Sequence, residues 1–160
     1  MSAELAAVAG LRNHLAPLLS IPVFDMRAPQ QGEPGYEPMP YTVLSSSTTN
    51  TADTDNTRGF DLSLDVHTWD DSKPYTRVTV SMLQMEIYDA LHRFDTLPLG
   101  VVYRLIGIDQ TLQTITLDPD GITRHGVQSF RLQFEPIDDD SLNPFQRINI
   151  HTNKLVIQEG

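Results

Sequence analysis

Hydrophobic and polar positions alternate along two stretches of this chain. Phe60, Leu62, Leu64 and Val66 form one run, while Ile115 and Leu117, then Phe130, Leu132 and Phe134, flank the turn Asp118-Pro119-Asp120-Gly121. Successive side chains on a strand point to opposite faces, so each run predicts a half-buried antiparallel strand. The Pro-Asp-Gly turn makes Ile115 to Phe134 a hairpin. Shorter strands are expected at Val23 to Asp25, Tyr41 to Leu44, Val101 to Ile108 and Leu112 to Leu117.

Helical spacing governs two other segments. Leu5, Val8, Leu11, Leu15 and Leu18 recur as one face of an N-terminal helix that Pro17 and Pro22 bring to a stop. A longer helix is predicted from about Lys73 to Phe94, with Asp71 or Ser72 as N-cap and Pro74 in the first turn. At about 100° per residue, Val80, Leu83, Ile87, Leu91 and Phe94 make one stripe. Val78, Met82 and Met85 fall almost opposite. A helix resting on one sheet needs a single apolar face, so the second stripe calls for another element: the N-terminal helix, or a neighbouring subunit.

The intervening stretches are of different kinds. Ala28 to Pro40 is rich in proline and glycine and is expected to run irregularly over the surface. Ser45 to Thr57 offers no apolar side chain but Ala52 and is expected to be a mobile excursion. Beyond Pro136 come an acidic patch, Asn143-Pro144, and a strand-like tail with Ile148, Ile150, Leu155, Val156 and Ile157. That tail either pairs with its own sheet or adds a strand to a partner's edge. The expected organisation is one α+β domain over residues 1–135 and a C-terminal arm over 136–160. Its antiparallel sheet is flanked by the N-terminal helix and the long central helix.

Charge and composition narrow the function. The chain has 160 residues, no cysteine and a formal charge of -10. Thiolate catalysis and cysteine-based zinc sites are excluded, and the charge argues against a grip on nucleic acid by phosphate neutralisation. The apolar run Leu5 to Leu11 is too short to cross a bilayer, and no basic signal region precedes it, so a soluble chain without a membrane anchor is expected.

Candidate chemistry is sparse. The five histidines show no metal spacing, and Asp53-Thr54-Asp55 fails as a calcium loop because Arg58 and Leu64 stand where Gly and Glu are required. His67 with Asp70 or Asp71 is the one conceivable acid–base pair. The plainer reading has His67 facing outward and the aspartates capping the helix. Trp69 is expected to close the core at a strand end. Neither a catalytic residue, a metal site nor a cofactor is assigned.

The order of these features resembles a known family. Pro40-Tyr41 opening a strand, Asp65-Val66-His67-Thr68-Trp69 leading into the long helix, and Asp120 to Gly126 before Phe130-Arg131-Leu132 are similar to the tail-completion, or tail-terminator, proteins of long-tailed bacteriophages and gene transfer agents. The likeness spans roughly Leu5 to Glu135. It implies a homo-oligomer, a hexameric ring that caps the tail tube at the head-proximal end, stops its growth and receives the head-completion or connector protein. DNA would pass through without specific binding. The assembly would form in a bacterial host's cytoplasm and end in the virion or phage-like particle.

On that view Val78, Met82, Met85, Ile148, Ile150, Leu155 and Ile157 are candidate subunit or partner contacts. Asp61, Asp65, Asp70 and Asp71 are candidate lumen charges, because carboxylates lining a pore repel phosphates. The rival reading is a small accessory module that binds a protein partner by edge-strand addition.

Overall fold

The computed structural model describes residues 2–53, 58–94, 97, 99 and 102–137. In chain order the elements are α1 (Ala3–Leu15), β1 (Val23–Asp25), β2 (Tyr41–Thr51), β3 (Phe60–Asp70), α2 (Val78–Leu91), β4 (Tyr103–Leu117) and β5 (Arg124–Pro136). Five strands make one sheet in the order β1-β2-β3-β5-β4, antiparallel except where β1 meets β2. This is the expected α+β architecture. The proposed arm, including Ile148, Ile150, Leu155 and Ile157, lies outside the described residues.

Both helices cover the same face of the sheet. Leu62, Leu64 and Val66 of β3 and Phe130, Leu132 and Phe134 of β5 point toward them, joined by Leu44, Leu105 and Ile108. From the helices come Val8, Leu11, Leu15, Ile87 and Leu91. Each large side chain fully buried there contributes on the order of 1.5–3 kcal/mol. The helices touch where His14 Nε2 meets the carbonyl of Ala90 at 3.0 Å and the His14 ring lies against Phe94.

Several local expectations need correction. Ser45 to Thr51 is not a mobile excursion, because β2 continues to Thr51 and pairs with β3 through Thr51↔Phe60. Backbone hydrogen bonds hold that stretch; threonine also suits a strand. Expected as two strands, β4 is one, with register shifts between Leu105 and Gly107 and between Gln110 and Leu112. Leu5 of α1 and Leu18, which lies beyond the helix, face outward, while Ala3 and Ala7 join the buried side.

The central helix begins at Val78, five residues later than its sequence predicts, with Arg77 as N-cap and no side-chain cap. Residues before it are drawn elsewhere. Tyr75 adopts a left-handed φ of 62°, and the carbonyl of Ser72 accepts a hydrogen bond from Arg124 Nη2 at 2.6 Å. Asp70 does not cap α2; it accepts from the Ser72 N–H and binds Arg124.

Candidate interaction surfaces

Helix α2 presents two unlike sides. Val80, Leu83, Gln84, Ile87 and Leu91 are buried against the sheet, and Gly126 of β5 makes the close approach possible. A Cβ at Gly126 would stand 2.6 Å from Val80 Cγ1 and 2.7 Å from Gln84 Nε2. Beneath the first half of the helix the interior is polar. Gln84 donates to the carbonyl of Thr114 at 3.0 Å and accepts from Gln113, while Gln128 donates to the carbonyl of Gln84 and to Gln110. This glutamine cluster was not anticipated from the sequence, because isolated glutamines on strands look like solvent-facing residues.

Among the described residues nothing covers the opposite side of α2. Val78, Met82 and Met85 are 57, 60 and 65 % exposed. The N-terminal helix does not shield them, contrary to the simpler of the two expectations, because α1 lies over β1 and β2 instead. Three apolar side chains one turn apart thus form an unpartnered stripe. Two of them are methionines, whose unbranched, polarisable side chains adapt to varied surfaces.

The sheet face turned away from the helices carries paired charges. Arg131 Nε binds both carboxylate oxygens of Asp61, at 2.9 and 2.7 Å, and Asp65 accepts from Ser129 Oγ at 2.5 Å. Arg104 pairs with Glu135 along the same rungs. Asp71 is exposed beyond the end of β3. Asp70 is different: it is fully buried and paired with Arg124, so it is withdrawn from the set of candidate lumen charges.

Toward the other end of this face, Trp69, His67 and His125 form an aromatic group. Trp69 stacks on His125 with ring centres 3.7 Å apart, and His67 Nδ1 lies 2.7 Å from His125 Nε2, one ring donating and the other accepting. Burial lowers the pKa of both imidazoles, and for His125 the neighbouring His67 adds to the effect; Asp65 and Asp118 act against it. A cleft of about 320 Å³ opens beside them, lined also by Met26, Ala28, Tyr41 and Val43. Trp69 therefore lies outside the core rather than closing it.

His67 and Asp70 project to opposite faces of β3, so the conceivable acid–base pair is not assembled. Among the described residues no group of three potential ligands could hold a metal ion.

A family model for tail completion protein gp17 matches residues 1–135. The chain belongs to that family. Tail-completion proteins are structural components of tailed virions, and the present chain is one of them. Its fold is similar to that of a chain in the virion of a native gene transfer agent particle, with a TM-score of 0.59 and 19% identity over 84% of this chain and 92% of the other. No curated protein matches.

Proposed function

We propose that this tail-completion protein acts by closing into a ring, a hexamer, on the head-proximal end of a tail tube. One face of the ring matches the last tube layer and ends its growth. The other face denies a further tube subunit its docking surface and receives the head-completion or connector protein. Residues 1–135 build the ring body and residues 136–160 serve as an arm. DNA crosses the lumen without being held.

The observation that carries this reading is the exposed Val78, Met82 and Met85 stripe on a chain whose family works by assembly. Ring contacts are heterologous, joining two different patches, and such contacts close when their rotation permits. The stripe supplies one patch. Carboxylates support the conduit: with a chain charge of -10, Asp65 on the bare sheet face and Asp71 exposed, phosphates are repelled rather than bound, whereas Asp61 is offset by Arg131 and adds little.

Light scattering of the purified chain, alone and with tube protein, tests the proposal. A ring-sized species that shortens growing tubes is expected; a chain that stays monomeric with tube protein present overturns it. The exposed Leu112 and Leu117 toward the far end of β4, an outermost strand of the sheet, favour a second reading, a monomeric module that captures a peptide strand. The monomeric outcome would select it.

A further inference from the structure

The cleft beside Trp69 and the stripe on α2 lie on opposite faces of one sheet, and nothing among the described residues fills the one or covers the other. Strand register builds the cleft floor. Tyr41, Trp69 and His125 stand abreast across β2, β3 and β5, and Val43 with His67 forms part of the next row. Met26 and Ala28, just beyond β1, add to its wall.

At about 320 Å³ the cleft is at the small end of ligand pockets, which range over about 300–1,000 Å³. That volume suits one or two inserted side chains. Its chemistry favours soft, apolar ones, because the stacked Trp69 and His125 rings are half-buried and thioether sulfur is attracted to aromatic rings. The lining contains no carboxylate, and its guanidinium, Arg27, is paired with Glu33 at 2.7 Å.

Helix α2 offers the complementary surface. Glu86 and Asp89 are exposed beside Met82 and Met85, and no basic residue occurs from Val78 to Leu91. Two such stripes laid together would set these carboxylates against their own copies, and a two-fold contact of that kind ends at a dimer. A stripe set into the cleft of another copy avoids both outcomes. The two features stand back to back across β5: His125 lines the cleft, while Gly126, next in sequence, lies under Val80 and Gln84 of α2. Each copy then gives one patch forward and receives one behind, and a contact of this kind closes when its repeated rotation completes a turn.

We infer that Met82 and Met85 of one copy insert into the cleft formed by Trp69, His67 and His125 of the next. The inference rests on the ring reading and supplies the second patch of its contact. Aromatic residues and methionine are enriched where proteins meet, and both are present here.

Trp69 is the chain's single tryptophan and reports the contact directly. Its emission should move to shorter wavelength as the full-length chain assembles and return on dilution. The double variant Met82→Asp with Met85→Asp should keep the monomer emission at every concentration.

Cross-linking locates the contact, helped by the absence of native cysteine. One full-length preparation carries Met85→Cys or Glu86→Cys; a second, differently tagged, carries Met26→Cys or Ser45→Cys at the cleft. The two are mixed, assembled and treated with a short bismaleimide. At least one pairing should give covalent heterodimers several-fold above a control using Asn13→Cys, exposed on α1. Chains carrying both members of that pairing should give a ladder of linked subunits.

Emission unchanged through assembly, cross-links no higher than control in every pairing, or cross-links confined to single chains would each overturn the inference. Light scattering on the same samples separates the two failures. Rings lacking either signal defeat this contact alone, whereas monomers defeat the ring reading as well.

Discussion

Arg124 and Asp70 meet as a buried ion pair on the helix-covered face of the sheet, where β5 begins and β3 ends. The guanidinium also donates to the carbonyls of Ile122 and Ser72, and the ring of Tyr75 lies 5.6 Å from its centre. One side chain thus ties the hairpin turn, the end of β3 and the lead into α2 together. Removing one member leaves the other charge buried, which costs about 3–5 kcal/mol. Arg124→Met should lower the urea-derived stability by that amount. The double variant Asp70→Leu with Arg124→Met should recover most of it.

The helix–sheet approach at Gly126 leaves no room for a methyl group. Overfilling a packed site costs about 1–3 kcal/mol. Gly126→Ala is therefore expected to shift the urea midpoint downward by a corresponding amount. Adding Val80→Ala, which removes the nearest atom, should restore part of the loss.

The imidazole pair makes stability depend on pH in a definite direction. Burial holds the pKa of His67 and His125 below the ordinary value of 6.5, so the unfolded chain takes up protons first as pH falls. Their contribution is complete above the unfolded pKa and declines as pH drops from there toward the lowered folded values. Thermal unfolding should show a lower Tm at pH 5 than at pH 7. Replacing both histidines by asparagine should flatten that part of the profile, whereas an unchanged slope would assign it to carboxylates.

The exposed α2 stripe separates folding from assembly. Because Met82 and Met85 are largely exposed, Met82→Asp and Met85→Asp should change monomer stability by no more than about 0.5 kcal/mol. Under the proposed ring, both should abolish the large species in light scattering. Variants that unfold would show the stripe to be part of the fold.

The extent to which the sequence reveals the fold follows from what each pattern reports. Alternation at Phe60 to Val66 and Phe130 to Phe134 reports one-sided burial, and those side chains do enter the core, with Phe60 packed half-buried at its margin. Leu117 continues the pattern yet lies exposed, so alternation alone does not say which positions are covered. Ser45 to Thr51 has no apolar pattern, and only pairing with β3 makes it a strand. Cross-strand partners are invisible in composition, so the Arg124–Asp70 tie and the glutamine cluster could not be read in advance.

The candidate surfaces were legible to different degrees. The separation of Val78, Met82 and Met85 from the buried stripe follows from helical geometry alone, and the exposures agree with it. The aromatic group of Trp69, His67 and His125 draws on two strands distant in sequence, so only the β3–β5 register brings it together. Asp70 looked like its acidic neighbours. Its position on the inward parity of β3 sets it apart.

The two register shifts in β4 bear on how isolated copies of the chain meet one another. A flat, regular border invites identical copies to stack without limit into fibres, and bulges bend a strand and break its repeat. Offset at Leu105 and again at Gln110, this border is a poor template for its own kind.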